Sequence, residues 1–217
     1  MSADRGFASV AQVRLRGGLE LLGPIVRLQV QTASLKCGGR PHRWYDPAPI
    51  MSLRRMRIDD GGVTGIDDIS GDDIEDIHHR DNPATKFRSE NGVSFGFTSH
   101  YVSMRQKYGG HLVDGIAGEN ILIATDRSHD KESVQHGLVV ACAAGMISLA
   151  EIQVAAPCAE FSKFALRYEH ERPADRAVTD TIQFLHGGVR GYYATLDDAE
   201  SVATISVGDL VYRRESS

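Results

Sequence analysis

The sequence predicts a mainly β protein: a closed or nearly closed β-barrel with a few helices packed outside it. Three observations carry that prediction. Short segments that alternate apolar and polar residues recur along the chain, as in Ile25–Thr32 and Met146–Val154, which is the period of a half-buried strand. Glycine is abundant, 22 of 217 residues, and so suits a chain of many turns. Only three stretches have helical character, and each is short.

In chain order, residues 1–22 read as an N-terminal arm of undecided order, and residues 23–217 as one domain. Ile25–Thr32 is the first clear strand. Gly38-Gly39 and the prolines at 41, 47 and 49 then mark a loop. Met56-Arg57-Ile58 and Gly61–Ile66 are strand-like, and Asp67–Asn82 is an irregular excursion. A strand follows at Val93–Phe97. Ser99 is placed to cap a helix through Lys107, which stops at Gly109-Gly110. Strands are expected at Asn120–Thr125, His136–Cys142 and Met146–Val154. In the last of these Ile147, Leu149, Ile152 and Val154 face inward if the register changes once. Pro157 ends it. Ala159–Glu169 places Phe161, Phe164, Ala165 and Tyr168 on one helix face, and a further helix over Ala174–Leu185 stops at Gly187-Gly188. Two strands, Val189–Thr195 and Ala203–Arg213, close the chain.

Bulk properties remove several function classes. Lys and Arg number 24 against 29 Asp and Glu, a net charge of −5, and the basic residues form no long block, which disfavours a nucleic-acid surface. The acidic stretch from Asp67-Asp68 through Asp72-Asp73 to Glu75-Asp76 reads as turn and cap residues. Its spacing lacks the closing Glu of a calcium loop. No run approaches the ~18 apolar residues of a membrane span, and Met1–Arg5 lacks the start of a secretory signal. Three cysteines without CxxC spacing disfavour a disulfide framework or an all-cysteine zinc site, so the compartment is read as reducing and cytoplasmic. No P-loop or dinucleotide fingerprint is present.

Among the chemical groups, Cys158 stands out. It sits where an apolar strand ends at Pro157 and a helix begins. The first turn of a helix presents unpaired N–H groups and partial positive charge, which favour a thiolate over a thiol. Such a sulfur serves as nucleophile, sulfur carrier or soft-metal ligand, or is a small buried corner residue. Cys142 lies within an apolar strand and Cys37 beside a glycine turn, and neither has a partner in sequence. His78-His79 is adjacent, so the two rings do not share a helix face. A Cys–His dyad between Cys158 and a distant histidine stays open.

Three segments, in order, then carry a family likeness: Gly115-Ile116-Ala117-Gly118-Glu119-Asn120-Ile121, the run from Ile147 to Val154 into Ala156-Pro157-Cys158, and Gly188-Val189-Arg190-Gly191-Tyr192-Tyr193-Ala194 followed by Ile205–Val211. Together they resemble the MOSC domain, named for the C-terminal part of molybdenum-cofactor sulfurases, over roughly residues 23–213. Gly65-Ile66 with Gly71-Asp72 is similar to an early stretch of that family, whereas Ser89–Ser94 departs from its Gly-Gly and Ala-Val pattern. The resemblance implies a β-barrel that works with the molybdenum cofactor (molybdopterin). Cys158 would then ligate molybdenum or carry sulfur as a persulfide, and related members reduce N-hydroxylated compounds at such a centre.

By the same resemblance Arg190 is a candidate for the cofactor's phosphate, which a planar guanidinium binds as a fork. Gly118 and Asn120 read as turn-makers in the segment brought to the cofactor, and Glu119 as a buried acceptor or a cofactor contact. The chain has no room for a pyridoxal-phosphate desulfurase and no cysteine pattern for an iron–sulfur centre. Sulfur or electrons would therefore come from a protein partner. The alternative is a non-enzymatic binding module that keeps the fold without metal.

Overall fold

The computed structural model describes residues 14–15, 18–85, 87–198 and 202–215. The N-terminal half holds strands β1 (Arg14–Leu15), β2 (Leu19–Gln31), β3 (Lys36–Cys37), β4 (Trp44–Tyr45), β5 (Ile50–Leu53), β6 (Arg55–Asp59), β7 (Gly62–Ile66) and β8 (Asp73–Glu75). Then β9 (Val93–Phe97) leads directly into helix α1 (Thr98–Tyr108), followed by β10 (Ile121–Ile123) and the single turn α2 (Lys131–Val134). The hairpin of β11 (Leu138–Cys142) and β12 (Gly145–Val154) precedes α3 (Ala159–Ala165) and α4 (Arg176–His186). Strands β13 (Tyr192–Leu196), β14 (Ala203–Ser206) and β15 (Leu210–Arg214) finish the chain.

Seven of these strands close a barrel in the order β2-β10-β9-β13-β12-β11-β15, with β15 returning to β2. The mainly β, barrel-with-helices architecture predicted from alternation is therefore the one observed. All barrel pairs are antiparallel except β9–β10. Closure depends on the length of β2: Leu19–Pro24 pairs with β15, and Ile25–Leu28 pairs with β10. A second sheet, β14-β6-β7-β8, lies against the barrel. Its Met56, Ile58, Val63 and Ile205 join Phe95, Phe97, Val140, Leu149 and Tyr192 in one buried core. Burying such side chains is worth roughly 1.5–3 kcal/mol each, so this core dominates stability.

The helices pack outside the barrel around a second core of Tyr45, Tyr101, Met104, Leu112, Leu122, Phe161, Ala165 and Leu185. α4 buries Val178, Thr181 and Leu185 at helical spacing, and Leu185 joins this core; Asp175 caps its start by accepting from the Val178 N–H at 3.1 Å. Among the described residues no helix is long and apolar enough to cross a membrane.

Several boundaries move. Residues 1–13, 16 and 17 of the expected arm lie outside the described residues, but β1 pairs with the start of β2, and Leu19–Leu22 is barrel strand rather than arm. Ser99 does not cap α1. The residue before the helix is Phe97, and Ser99 instead meets the Thr125 hydroxyl at 2.9 Å. The helix expected through Glu169 ends at Ala165, and the strand expected from Val189 begins at Tyr192. The register change expected in β12 is a bulge between Ala150 and Gln153, with Glu151 at φ 49°. The acidic stretch does form turns: Asp67 Oδ1 accepts from the Ile69 and Ser70 N–H groups.

Candidate functional site

Where the barrel meets the helical layer, a cavity of about 560 Å³ opens between four separate segments: Gln31–Lys36, Arg43–Tyr45, the Ile77–Asn91 loop, and the α3 start facing the Arg190–Tyr193 turn. Cys158 and Arg190, two sequence-predicted residues, both line it. Lys36, Arg43 and Arg88 also line it, and among the described lining residues there is no Asp or Glu.

Cys158 is the N-cap of α3, with extended backbone (φ −117°, ψ 159°), and its Sγ accepts from the Phe161 N–H at 3.5 Å. The strand-to-helix corner marked by Pro157 thus places the sulfur at the helix start and leaves it half-buried in the cavity wall. The neighbouring carboxylate is Glu160, 3.9 Å from Arg43 Nε. Burial pushes Glu160 up, but hydrogen bonds from its own backbone and from Cys158, with the charges of Lys36 and Arg43, bring it below the usual carboxylate range.

Arg190 is placed by the turn before β13. Gly188 has φ +90°, and a Cβ there would sit 1.8 Å from the Tyr192 hydroxyl, so only glycine fits. The Arg190 N–H donates to Leu185 O at 3.2 Å, tying the turn to the end of α4. Its guanidinium lies over the Phe161 ring, 5.2 Å from the centroid, and makes no hydrogen bond to a protein group among the described residues. An arginine whose fork is not used by the protein has its donors available for an anion. Tyr45 completes this wall. Its hydroxyl donates to Ile116 O at 2.8 Å, and burial above all pushes its phenol well up.

The Gly118-Glu119-Asn120 segment lies behind the cavity, outside its lining. Gly118 has φ +85°, where a Cβ would strike Leu35 at 2.5 Å, and its carbonyl accepts from Gln31 Nε2 at 2.6 Å. Glu119 is 2% exposed. One of its oxygens accepts from the Tyr101 hydroxyl at 2.8 Å, and the other, Oε1, has no partner. Burial raises the Glu119 carboxyl, while Arg190 and Tyr101 pull it down. Asn120 spends its side chain on the protein: Oδ1 accepts from the Ser94 N–H and hydroxyl, and Nδ2 donates to Gln29 O and Asp76 Oδ2. These three residues stand behind the lining residues of the cavity.

Cys37 and Cys142 are outside the cavity lining, and Cys142 packs against the main core. Among the described residues no three His, Cys, Asp or Glu side chains gather as a metal site. Sequence reading missed Lys36, Arg43, Tyr45, Arg88 and His78 as one group, since they come from irregular segments without periodicity. A second cavity of about 280 Å³ is lined by Asp59, Asp60, Glu151 and Asp197 and holds no thiol.

No family model and no curated protein matches the chain. Solved structures do share the fold. One is the YUAD protein from Bacillus subtilis, with a TM-score of 0.55 and 13% identity over 91% of this chain and 98% of that one. Another, a hypothetical protein, has a TM-score of 0.51 and 10% identity over 88% of this chain and 67% of that one. These likenesses are of fold alone.

Proposed function

We propose that this chain holds a molybdenum cofactor in the 560 Å³ cavity through the Cys158 thiolate and reduces N-hydroxylated compounds there. One observation carries the reading: a sulfur at a helix start shares a cavity with Lys36, Arg43, Arg88 and Arg190, and no carboxylate among the described residues lines it. The donor set fits the group. A thiolate is a soft ligand suited to such a metal, and Arg190, with its fork unused by the protein, suits a phosphate dianion. Glu160 offsets only part of the cationic charge.

When bound, the cofactor supplies a two-electron centre able to take oxygen from nitrogen. The chain's own residues fix and enclose it. Cys158 is oriented by the Phe161 N–H, Arg190 by the Gly188 turn and the Phe161 ring, and Tyr45 and Tyr193 close the walls with aromatic surface. The electrons arrive from a protein partner, since the three cysteines of the chain are spread over positions 37, 142 and 158 and form no cluster motif.

The test is molybdenum and pterin content per chain after purification from a cofactor-producing host. The expected result is near one per chain in the wild type, loss of molybdenum in Cys158→Ala, and a lowered pterin content in Arg190→Gln. A wild type that stays empty in such a host overturns the proposal in favour of a metal-free binding module, and a Cys158→Ala variant with full metal overturns the thiolate ligand.

A further inference from the structure

The imidazole of His78 stands in the wall of the same cavity, 34% exposed. Its Nδ1 lies 2.9 Å from Asp76 Oδ1, which also accepts the His78 backbone N–H at 2.9 Å. Asp76 itself is 2% exposed. Its other oxygen accepts from the Gln31 N–H at 2.7 Å and from Asn120 Nδ2 at 3.0 Å. A carboxylate held by that many donors acts as a fixed acceptor. It selects the tautomer with hydrogen on Nδ1 and fixes the ring plane.

His78 Nε2 is then left without a protein hydrogen bond among the described residues, on a ring that lines a cavity. The adjacent histidine shows the opposite arrangement. His79 is 4% exposed, its Nδ1 accepts from the Asp81 N–H at 3.2 Å, and its Nε2 lies 3.3 Å from Asp59. Both of its nitrogens are used in holding the loop.

We infer that His78 is the proton-transfer residue of the cavity, with Asp76 and Asn120 as its positioning residues. Asn120, which does not line the cavity, thereby acts on it through one carboxylate. The identity of the reaction rests on the reading above, whereas the geometry of the relay does not. Reduction of an N-hydroxylated compound consumes two electrons and two protons, breaks the N–O bond and releases the oxygen as water. The electrons come from the protein partner named above; the His78 imidazolium gives its Nε2 proton to the departing oxygen, returns to the Nδ1–H tautomer and is reprotonated from solvent, which also supplies the second proton. Asp76 is bonded to the ring, and the charged and titratable groups that line the cavity with it are Lys36, Arg43, Tyr45, Arg88, Cys158, Arg190 and Tyr193.

Two measurements test the assignment. In cofactor-loaded full-length protein given a benzamidoxime, His78→Gln is expected to lose about 100-fold in kcat with molybdenum per chain unchanged, and to lose the pH dependence an imidazole confers. Asp76→Asn is expected to lose about tenfold, with molybdenum per chain unchanged. A His78→Gln rate within threefold of the wild type overturns the inference while leaving the cofactor reading intact. Nitrogen-15 spectra of the full chain supply an arm that needs no cofactor. The neutral ring is expected to carry its hydrogen on Nδ1, with an Nε2 resonance that inorganic phosphate shifts. Hydrogen on Nε2, or a ring indifferent to phosphate, overturns the assignment even if the wild type binds no metal.

Discussion

At the scale of single residues, two buried groups give the protein opposite responses to pH. His100 is 1% exposed, and burial above all lowers its pKa to about 4, against 6.5 for a free imidazole. The unfolded chain takes up a proton there between those values and the folded chain does not. This stabilising contribution is complete above pH 6.5 and is lost as pH falls toward 4, amounting to about 3 kcal/mol. Urea denaturation at pH 7 and pH 5 is expected to show about 2 kcal/mol of that loss in the wild type and a smaller loss in His100→Gln. Glu119 runs the other way. Its raised carboxyl stabilises the fold at low pH, and that stability is lost as pH rises through the folded value. Relative to the wild type, Glu119→Gln is expected to gain stability between pH 4 and pH 7 in the same experiment.

At the scale of elements, the Gly188 turn joins α4 to β13 and aims Arg190. Because a Cβ at 188 would lie 1.8 Å from the Tyr192 hydroxyl, at φ +90°, Gly188→Ala is expected to cost about 2–4 kcal/mol, measured by chemical denaturation. Some of these elements were legible because their signals are local. Ile147 and Leu149 are odd-numbered and Ile152 and Val154 even-numbered, so the β12 bulge was written in the change of parity. Cys158 after Pro157 marks its own corner. The start of β2 was hidden, because Glu20 puts a charge at a buried position where it meets Arg213, 193 residues away. Tyr45 lies between two prolines and reads as loop, yet it is 7% exposed and bonded to Ile116, 71 residues off. His78 and Arg88 belong to a segment whose position depends on Asp76 meeting Asn120. No sequence period encodes such contacts.

At the scale of the whole molecule, one closed barrel carries a smaller sheet on one side and a helical layer on another. Strands β9, β10 and β13 are fully or largely buried and paired on both edges, whereas β8 is an exposed three-residue edge. Native-state hydrogen exchange is expected to find the slowest amides at Phe95, Leu122 and Ala194, opening only with global unfolding, and faster exchange over Asp73–Glu75. Phe95→Ala is expected to destabilise the fold by about 3–5 kcal/mol.

Barrel closure also sets a constraint in time. β15 is translated long after its partner β2, with Leu19 pairing with Arg214. At 5–20 residues per second, roughly ten to forty seconds separate their appearance. Through that interval the Leu19–Pro24 stretch of β2, with Leu21 and Leu22, lacks its β15 partner. Until β15 is made, that part of the barrel seam cannot close.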